Sequence, residues 1–410
     1  MIDNALIHQA YLRVKENKGA AGVDEESIEK FEKDLKNNLY RIWNRMSSGT
    51  YFPPPVKTVL IPKKDKGSKP RKLGVPTVSD RVAQTVVKLY LEPIVEPKFH
   101  EDCYGYRPGK SAIQAVGTAR KRCWRYNWCI DLDITGFFDN LDHELILKAV
   151  KHHTDTKWIL LYIERWLKAP IQLEDGTTVI REKGTAQGSA ISPLVSNIFM
   201  HHAFCEWMRK KFPSVPFEVY ADDGLVHCRS LEEAQRMLKE IGARLKKCKL
   251  ELHSEKTKIV YCKDADRTGS YEHERFDFLG YTFRPRLSKN RWGKHFVSFN
   301  PAINDKAIKT IKKEIRSWRI HLRTDKQLDD IARMFNIKVR GWVNYYGCYY
   351  KSAMYPCLRN IERYLIKWTM KKYKRLKGHK TRARHWLGKI AKREPNLFVH
   401  WSLGLKSTAE

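Results

Sequence analysis

Negative charge is scarce in this sequence: 46 Asp and Glu stand against 78 Lys and Arg in 410 residues, for a formal net charge of +32. That imbalance points to a polyanionic partner, because Lys and Arg that neutralise phosphates release condensed counterions. Long apolar runs are missing too. No segment reaches about 18 consecutive apolar residues, which excludes an evident membrane-spanning helix. The opening Met1-Ile2-Asp3-Asn4-Ala5-Leu6 has no basic stretch leading into an apolar one, so no leader is expected. A soluble, cytoplasmic protein without a membrane partner is the expectation, and nucleic acid is the leading polyanion. The nine cysteines are odd in number and never spaced as C-x₂-C or C-x₄-C, which argues against a disulfide framework and a zinc ribbon. No repeat of 20 to 50 residues and no low-complexity tract is visible.

What is present changes along the chain. Up to about Arg286, apolar strands alternate with amphipathic helices, the pattern of an α+β body. From about Pro301 to Tyr364 the spacing is helical, with Ile308, Ile311, Ile315 and Trp318 on one face and Leu328, Ile331, Ala332 and Phe335 on another. From Ile366 to Arg393 there is no Asp or Glu, while Lys and Arg recur among Trp368, Tyr373, His385 and Trp386. By composition that tail is a nucleic-acid surface; a solvated basic helix with inward aromatics is the plainer reading.

Acidic residues that could do chemistry are few, and they fall into a pattern. Phe217–Ala221 and Leu225–Cys228 read as strands joined by a turn at Asp222-Asp223-Gly224, which holds adjacent carboxylates at a hairpin tip. Alone, such a tip is an exposed acidic turn. Upstream, Cys129–Ile134 alternates, with Ile130, Leu132 and Ile134 on one face and Asp131 and Asp133 on the other. A strand ending at Asp133 beside the Asp222-Asp223 tip would gather three carboxylates, a donor set for two divalent cations about 3.5–4 Å apart in phosphoryl transfer. Asp142 is expected to cap the next helix, and Ser230-Leu231-Glu232-Glu233 to open an amphipathic one.

Five ordered motifs then resemble the group II intron reverse transcriptases of bacteria: Asp133-Ile134-Thr135-Gly136-Phe137-Phe138-Asp139, Gly184–Pro193, Tyr220-Ala221-Asp222-Asp223, Leu252–Lys258 and Phe278-Leu279-Gly280-Tyr281. Ile61-Pro62-Lys63, Lys69–Thr77 with Asp80-Arg81, and Tyr104–Pro108 are similar to the family's fingers, and Arg340–Tyr346 to its thumb or maturase domain. The resemblance implies a right-hand polymerase fold: fingers and an α+β palm with an antiparallel sheet, a helical thumb, and a short basic DNA-binding extension. The corresponding boundaries are 1–115 for the N-terminal extension and fingers, 116–299 for the palm with remaining fingers elements, 300–365 for the thumb and 366–410 for the extension.

It also implies an RNA-directed DNA polymerase that uses Mg²⁺, takes dNTPs, and acts on an RNA template with a DNA primer. Its further partners would be its host intron RNA, which it helps to splice, and a target DNA that primes copying of the intron. Asp133 and Asp222 are the implied ligands of both metals, with Ile134 beside them and Asp223 as a weaker or structural partner, and Lys256 is an implied general acid. Phe138 would sit under the sugar and exclude a 2′-hydroxyl. Lys63 and Arg71 are candidates for the triphosphate, with template phosphate open as the alternative for either, and Gln187 would approach the nascent pair. Arg340, Lys371, Lys372, Lys374, Arg375, Arg382 and Arg384 are the expected nucleic-acid contacts. Ala186 and Ser189 depart from the Pro and Gly common at those places, which bears on template handling rather than on a catalytic group. The Cys pairs and His-rich cluster of the family's endonuclease are not seen, so DNA cleavage by this polypeptide alone is not expected. A domesticated relative in phage defence or repair, and an RNA-binding splicing factor without polymerase activity, are the competing functions.

Overall fold

The computed structural model describes residues 2–62 and 70–408. Its strands, in chain order, are β1 (Val56–Ile61), β2 (Arg71–Val75), β3 (Trp128–Leu132), β4 (Ile171–Gln172), β5 (Thr178–Val179), β6 (Phe217–Tyr220), β7 (Asp223–Cys228), β8 (Lys258–Tyr261), β9 (Phe276–Phe278), β10 (Tyr281–Lys289) and β11 (His295–Ile303). The chain divides into two compact units, residues 1–115 with 130–259, and residues 116–129 with 260–410.

The first unit is mixed α/β. One sheet runs β2-β1-β4-β5, with β1 antiparallel to β2 and parallel to β4, so its strands are not all antiparallel. The other runs β6-β7-β3-β8. Its central strands are nearly all apolar and buried because helices cover them. The helix Val78–Val95 is buried as well, packed against the helices Asn4–Asn17 and Ser192–Met200; Thr77 caps it by accepting from the Asp80 N–H, and Val82, Ala83, Val86, Val87 and Leu91 are fully enclosed. Leu231–Lys247 starts as expected, with the Ser230 hydroxyl accepting from the Glu233 N–H at 3.1 Å. Glu233 returns its carboxylate to the N–H of Arg229 rather than Ser230. The buried face is Ala234, Met237, Ile241 and Leu245.

The second unit combines the β11-β10-β9 sheet with the helices Asp305–Ser317, Leu328–Tyr350, Tyr355–Lys372 and Lys380–Arg393. The anticipated periodic residues form its core: Ile311, Ile315 and Trp318 meet Ile331, Ala332 and Phe335. Trp318 stacks on Phe335 at 4.3 Å and on Trp342 at 5.5 Å between ring centres. The same core continues through Trp368, Ala383, Leu387, Ala391, Phe398, Trp401 and Leu405, so the basic C-terminal stretch is packed on one side and charged on the other. Among the described residues, no helix is long and apolar enough to cross a membrane. All nine cysteines are free thiols, most of them buried.

Candidate active site

The β6–β7 hairpin has its turn one residue earlier than the sequence suggests. Tyr220 pairs with Asp223, leaving Ala221 and Asp222 as the two-residue loop, and Asp223 opens β7 instead of lying in the turn. Ala221 takes the left-handed region at φ 59°, costly for a residue with a side chain but demanded at the first position of a two-residue hairpin loop. Gly105 presses against this backbone so closely that a Cβ there would lie 2.5 Å from the Ala221 nitrogen. The segment before it pairs with β6: Tyr104 N–H donates to the Val219 carbonyl at 2.8 Å, and Val219 N–H to the Asp102 carbonyl at 2.9 Å. The hairpin tip is therefore clamped, and its two carboxylates inherit a fixed position.

Asp133 follows β3 and is fixed from the opposite side by the Leu252–Lys258 motif. His253 N–H donates to the Asp133 carbonyl at 2.8 Å, and the Asp133 N–H donates to the Thr257 hydroxyl at 3.3 Å. Ile134 forms an isolated bridge with Leu252. Lys256 reaches both Asp133 carboxylate oxygens at 3.3 Å. β7 lies beside β3 in the sheet, and Gly224 packs so close to Leu132 that a Cβ on it would lie 3.4 Å from the leucine side chain, which brings Asp223 and its neighbour Asp222 to the end of β3 where Asp133 stands. Packing around its carboxyl and the charges of Asp222 and Asp133 push Asp223 up to about 7, with Lys256 opposing. Residue 223 as a whole is nevertheless exposed, so this is a carboxyl crowded by like charge at an open edge rather than a core acid. Three crowded carboxylates form an oxygen-only, anionic donor set that suits hard divalent cations.

Around this centre the remaining motif residues are tied to one another. Phe138 is buried in the short helical turn Phe137–Asn140, and its carbonyl accepts from Thr185 N–H at 2.7 Å. Gly184 fits beneath at φ 80°, where a Cβ would meet the Asp139 carbonyl oxygen at 2.6 Å. The Gln187 carbonyl accepts from Gly74 N–H of β2 at 2.7 Å, which docks β2 on the Gly184–Pro193 loop. Lys63 and the side chain of Arg71 lie outside the described residues.

A supporting chain was not visible in the motifs. Buried Asp80 accepts from Tyr51, Trp166 and Gln84, and Gln84 in turn accepts from the Ser189 hydroxyl at 2.6 Å and Ala190 N–H at 2.8 Å. Burial raises Asp80 to about 6 against those three hydrogen bonds. Ser189 thus has a structural partner that a glycine would lack. The only sequence signal was Asp80 within a motif; Gln84, one turn later, carried none.

In the second unit, Arg340, Lys371, Lys374, Arg375, Arg382 and Arg384 are exposed. Lys372 differs: it is half-buried, and its ammonium donates to the carbonyls of Thr324 and Lys326 at 3.1 and 2.5 Å. Tyr345 donates to the Leu279 carbonyl at 2.8 Å, so this motif tyrosine holds the β9–β10 turn.

A sheet edge bearing three carboxylates, one lysine and glycine-dependent loops has the donor chemistry that metal-assisted phosphoryl transfer calls for. The model of the reverse transcriptase (RNA-dependent DNA polymerase) family matches residues 61–283, and that of the group II intron maturase-specific domain matches residues 308–386. The chain is 26% identical to the group II intron-encoded protein LtrA of Lactococcus lactis subsp. cremoris, over 87% of this chain and 72% of LtrA. It is 27% identical to protein YkfC of Escherichia coli K12, over 68% of this chain and 79% of that protein. A putative COX1/OXI3 intron 1 protein of Saccharomyces cerevisiae is 30% identical over 47% of this chain and 22% of its own length. The chain belongs to the group II intron-encoded reverse transcriptase and maturase family. It is an RNA-directed DNA polymerase with the polymerase fold of that family, which uses divalent metal ions, and its maturase domain makes it an intron-RNA-binding splicing protein.

Proposed function

We propose that the Asp133–Asp222–Asp223 centre extends a DNA primer on an RNA template with dNTPs, and that this copies the host intron at a target DNA during insertion. The observation that carries the reading is the convergence of the three carboxylates beside Lys256. Asp133, Asp222 and Asp223, with the Ile134 carbonyl, would hold Mg²⁺, which suits all-oxygen ligands. When bound, such ions make the primer hydroxyl a better nucleophile and offset charge on the transferring phosphate. Lys256 would give a proton to the departing pyrophosphate, a role supported by its position 3.3 Å from Asp133. The buried Phe138 ring sets the floor beneath the sugar, and Gln187, held at the β2 junction, borders the nascent pair. Lys63 and Arg71 are assigned to phosphate by their motif.

On this reading residues 1–115 supply the N-terminal extension and fingers, 116–299 the palm with the remaining fingers elements, 300–365 the thumb and 366–410 the DNA-binding extension. Arg340, Lys371, Lys374, Arg375, Arg382 and Arg384 offer phosphate contacts, which suits A-form duplexes read by shape and backbone. Lys372 serves mainly to hold the Thr324–Lys326 turn.

Primer extension on an RNA template with dNTPs and Mg²⁺ tests the assignment. Wild-type protein should yield full-length DNA and Asp222→Ala/Asp223→Ala none; equal product from both would sink it. Phe138→Ala should admit ribonucleotides, and unchanged sugar discrimination would refute the gate.

A further inference from the structure

Cys103 and Cys205 stand far apart in sequence, yet their sulfurs are 2.7 Å apart. A disulfide bond is about 2.05 Å long, so an approach of less than about 1 Å would join them. Both are thiols, Cys103 half-buried and Cys205 buried at the end of the π-helical turn His201–Cys205. Their location sets them apart from the other seven cysteines. Cys103 forms a bridge with Val219 of β6, and its neighbours Asp102 and Tyr104 make the two backbone hydrogen bonds to Val219. Gly105, two residues on, braces the strained Ala221 next to Asp222, and its carbonyl accepts from Asn197 at 2.7 Å. A small cavity bordered by Cys103, Gly105, Asn197, Cys205 and Ala221 lies behind the turn. Any bond between the two sulfurs would therefore act on the backbone that positions the carboxylates.

We propose that Cys103 and Cys205 form an oxidisable dithiol whose disulfide, made by hydrogen peroxide, straps the Asp102–Gly105 segment to the His201–Cys205 turn and restrains the β6–β7 tip. The chemistry is the stepwise oxidation of a thiol pair. Cys103, the more accessible, loses its proton to solvent. Its thiolate attacks one peroxide oxygen and the O–O bond breaks, giving the Cys103 sulfenic acid and a hydroxide that takes up the lost proton as water. Cys205 then attacks the Cys103 sulfur; the S–S bond forms, the S–O bond breaks, and hydroxide departs with the Cys205 proton as a second water. The two sulfurs give up two electrons and the peroxide takes them. A small dithiol reverses the change by exchange. Burial raises the Cys205 thiol well above its ordinary range, which leaves Cys103 as the first nucleophile.

The test uses the full chain, treated with near-stoichiometric peroxide and digested without reductant. Mass spectrometry should find the Cys103 and Cys205 peptides joined and about 2 Da lighter than the reduced pair. Primer extension should fall about tenfold, as expected when a reacting group is displaced, and recover with dithiothreitol. Cys103→Ser and Cys205→Ala should each resist this loss, with thermal melting used to check that both fold. Absence of the joined peptide overturns the site. A joined peptide with unchanged extension, or equal loss in Cys103→Ser, overturns the strap. The strap rests on the polymerase reading of the hairpin, but the mass readout does not: a wild-type chain that never extends a primer would fail that reading and leave the dithiol decided by its peptides.

Discussion

At the β6–β7 turn three carboxylates crowd together at an open edge, whereas in the helical unit one carboxylate, Glu362, is enclosed by four hydrogen bonds from His400, Trp401 and Ser407. The first arrangement is electrostatically unfavourable as it stands; the second is satisfied. Burial pushes the Glu362 carboxyl up, but the hydrogen bond and charge of His400, with Ser407 and Trp401, outweigh it and hold it below the usual range. Buried acids that are fully bonded hold structure together, while acids left to repel one another are held by backbone for a counter-charge that arrives from outside. The basic residues divide in the same way. Lys372 is committed to carbonyls of its own unit, while Arg382 and Arg384 face solvent.

The comparison can be broken most severely at Glu362. Glu362→Ala leaves the His400, Trp401 and Ser407 donors buried without an acceptor, and we expect a loss of about 3 kcal/mol in denaturant unfolding. Because its folded pKa lies below the unfolded value, its contribution is present above the ordinary carboxylate range and disappears as pH falls through the folded value. A wild-type-like midpoint in the variant would show that the C-terminal segment is not anchored there.

Gly105→Ala comes next. Its Cβ would meet the Ala221 nitrogen at 2.5 Å, so the tip must shift, and single-turnover extension should fall by about 10²-fold with RNA affinity kept. Asp80→Asn is a milder change, read through pH. Asp80 is raised to about 6 from the ordinary 3.8, so its contribution is complete below about 4 and is lost as pH rises through 6. Wild-type melting temperature should therefore carry a downward component over that window, and the Asn variant should lose it. The smallest effect separates the two kinds of lysine and arginine. Arg382→Ala should lower the salt dependence of nucleic-acid binding by about one counterion, while Lys372→Ala should leave that slope alone and reduce stability.

Much of the catalytic end was legible because its signals are local. Alternation put Asp133 at a strand end, the apolar runs flanking Asp222-Asp223 gave the hairpin, and Asp142 and Ser230 behaved as helix caps. The exact turn was missed, since Asp-Asp-Gly is the better turn sequence and nothing local announces that Ala221 takes a positive φ with Gly105 packed against its backbone. The Asp80–Gln84–Ser189 relay was hidden for the same reason: about a hundred residues separate Gln84 from its partners. In the helical unit, periodicity revealed the core face, but charge composition alone did not show that Lys372 turns inward or that Trp368 and Leu387 continue the core. Local pattern reports which residues are near in chain; burial decided by distant segments does not appear in it.

The central claim, that the carboxylates at the β6–β7 tip perform nucleotidyl transfer, is tested most directly by the single-turnover rate of Asp222→Asn. The substitution keeps the side chain's size and removes its charge. On an RNA template with a DNA primer, dNTPs and Mg²⁺, the rate should fall by about 10³-fold or more, with RNA affinity within about twofold of wild type. A variant that extends the primer at the wild-type rate would contradict the account.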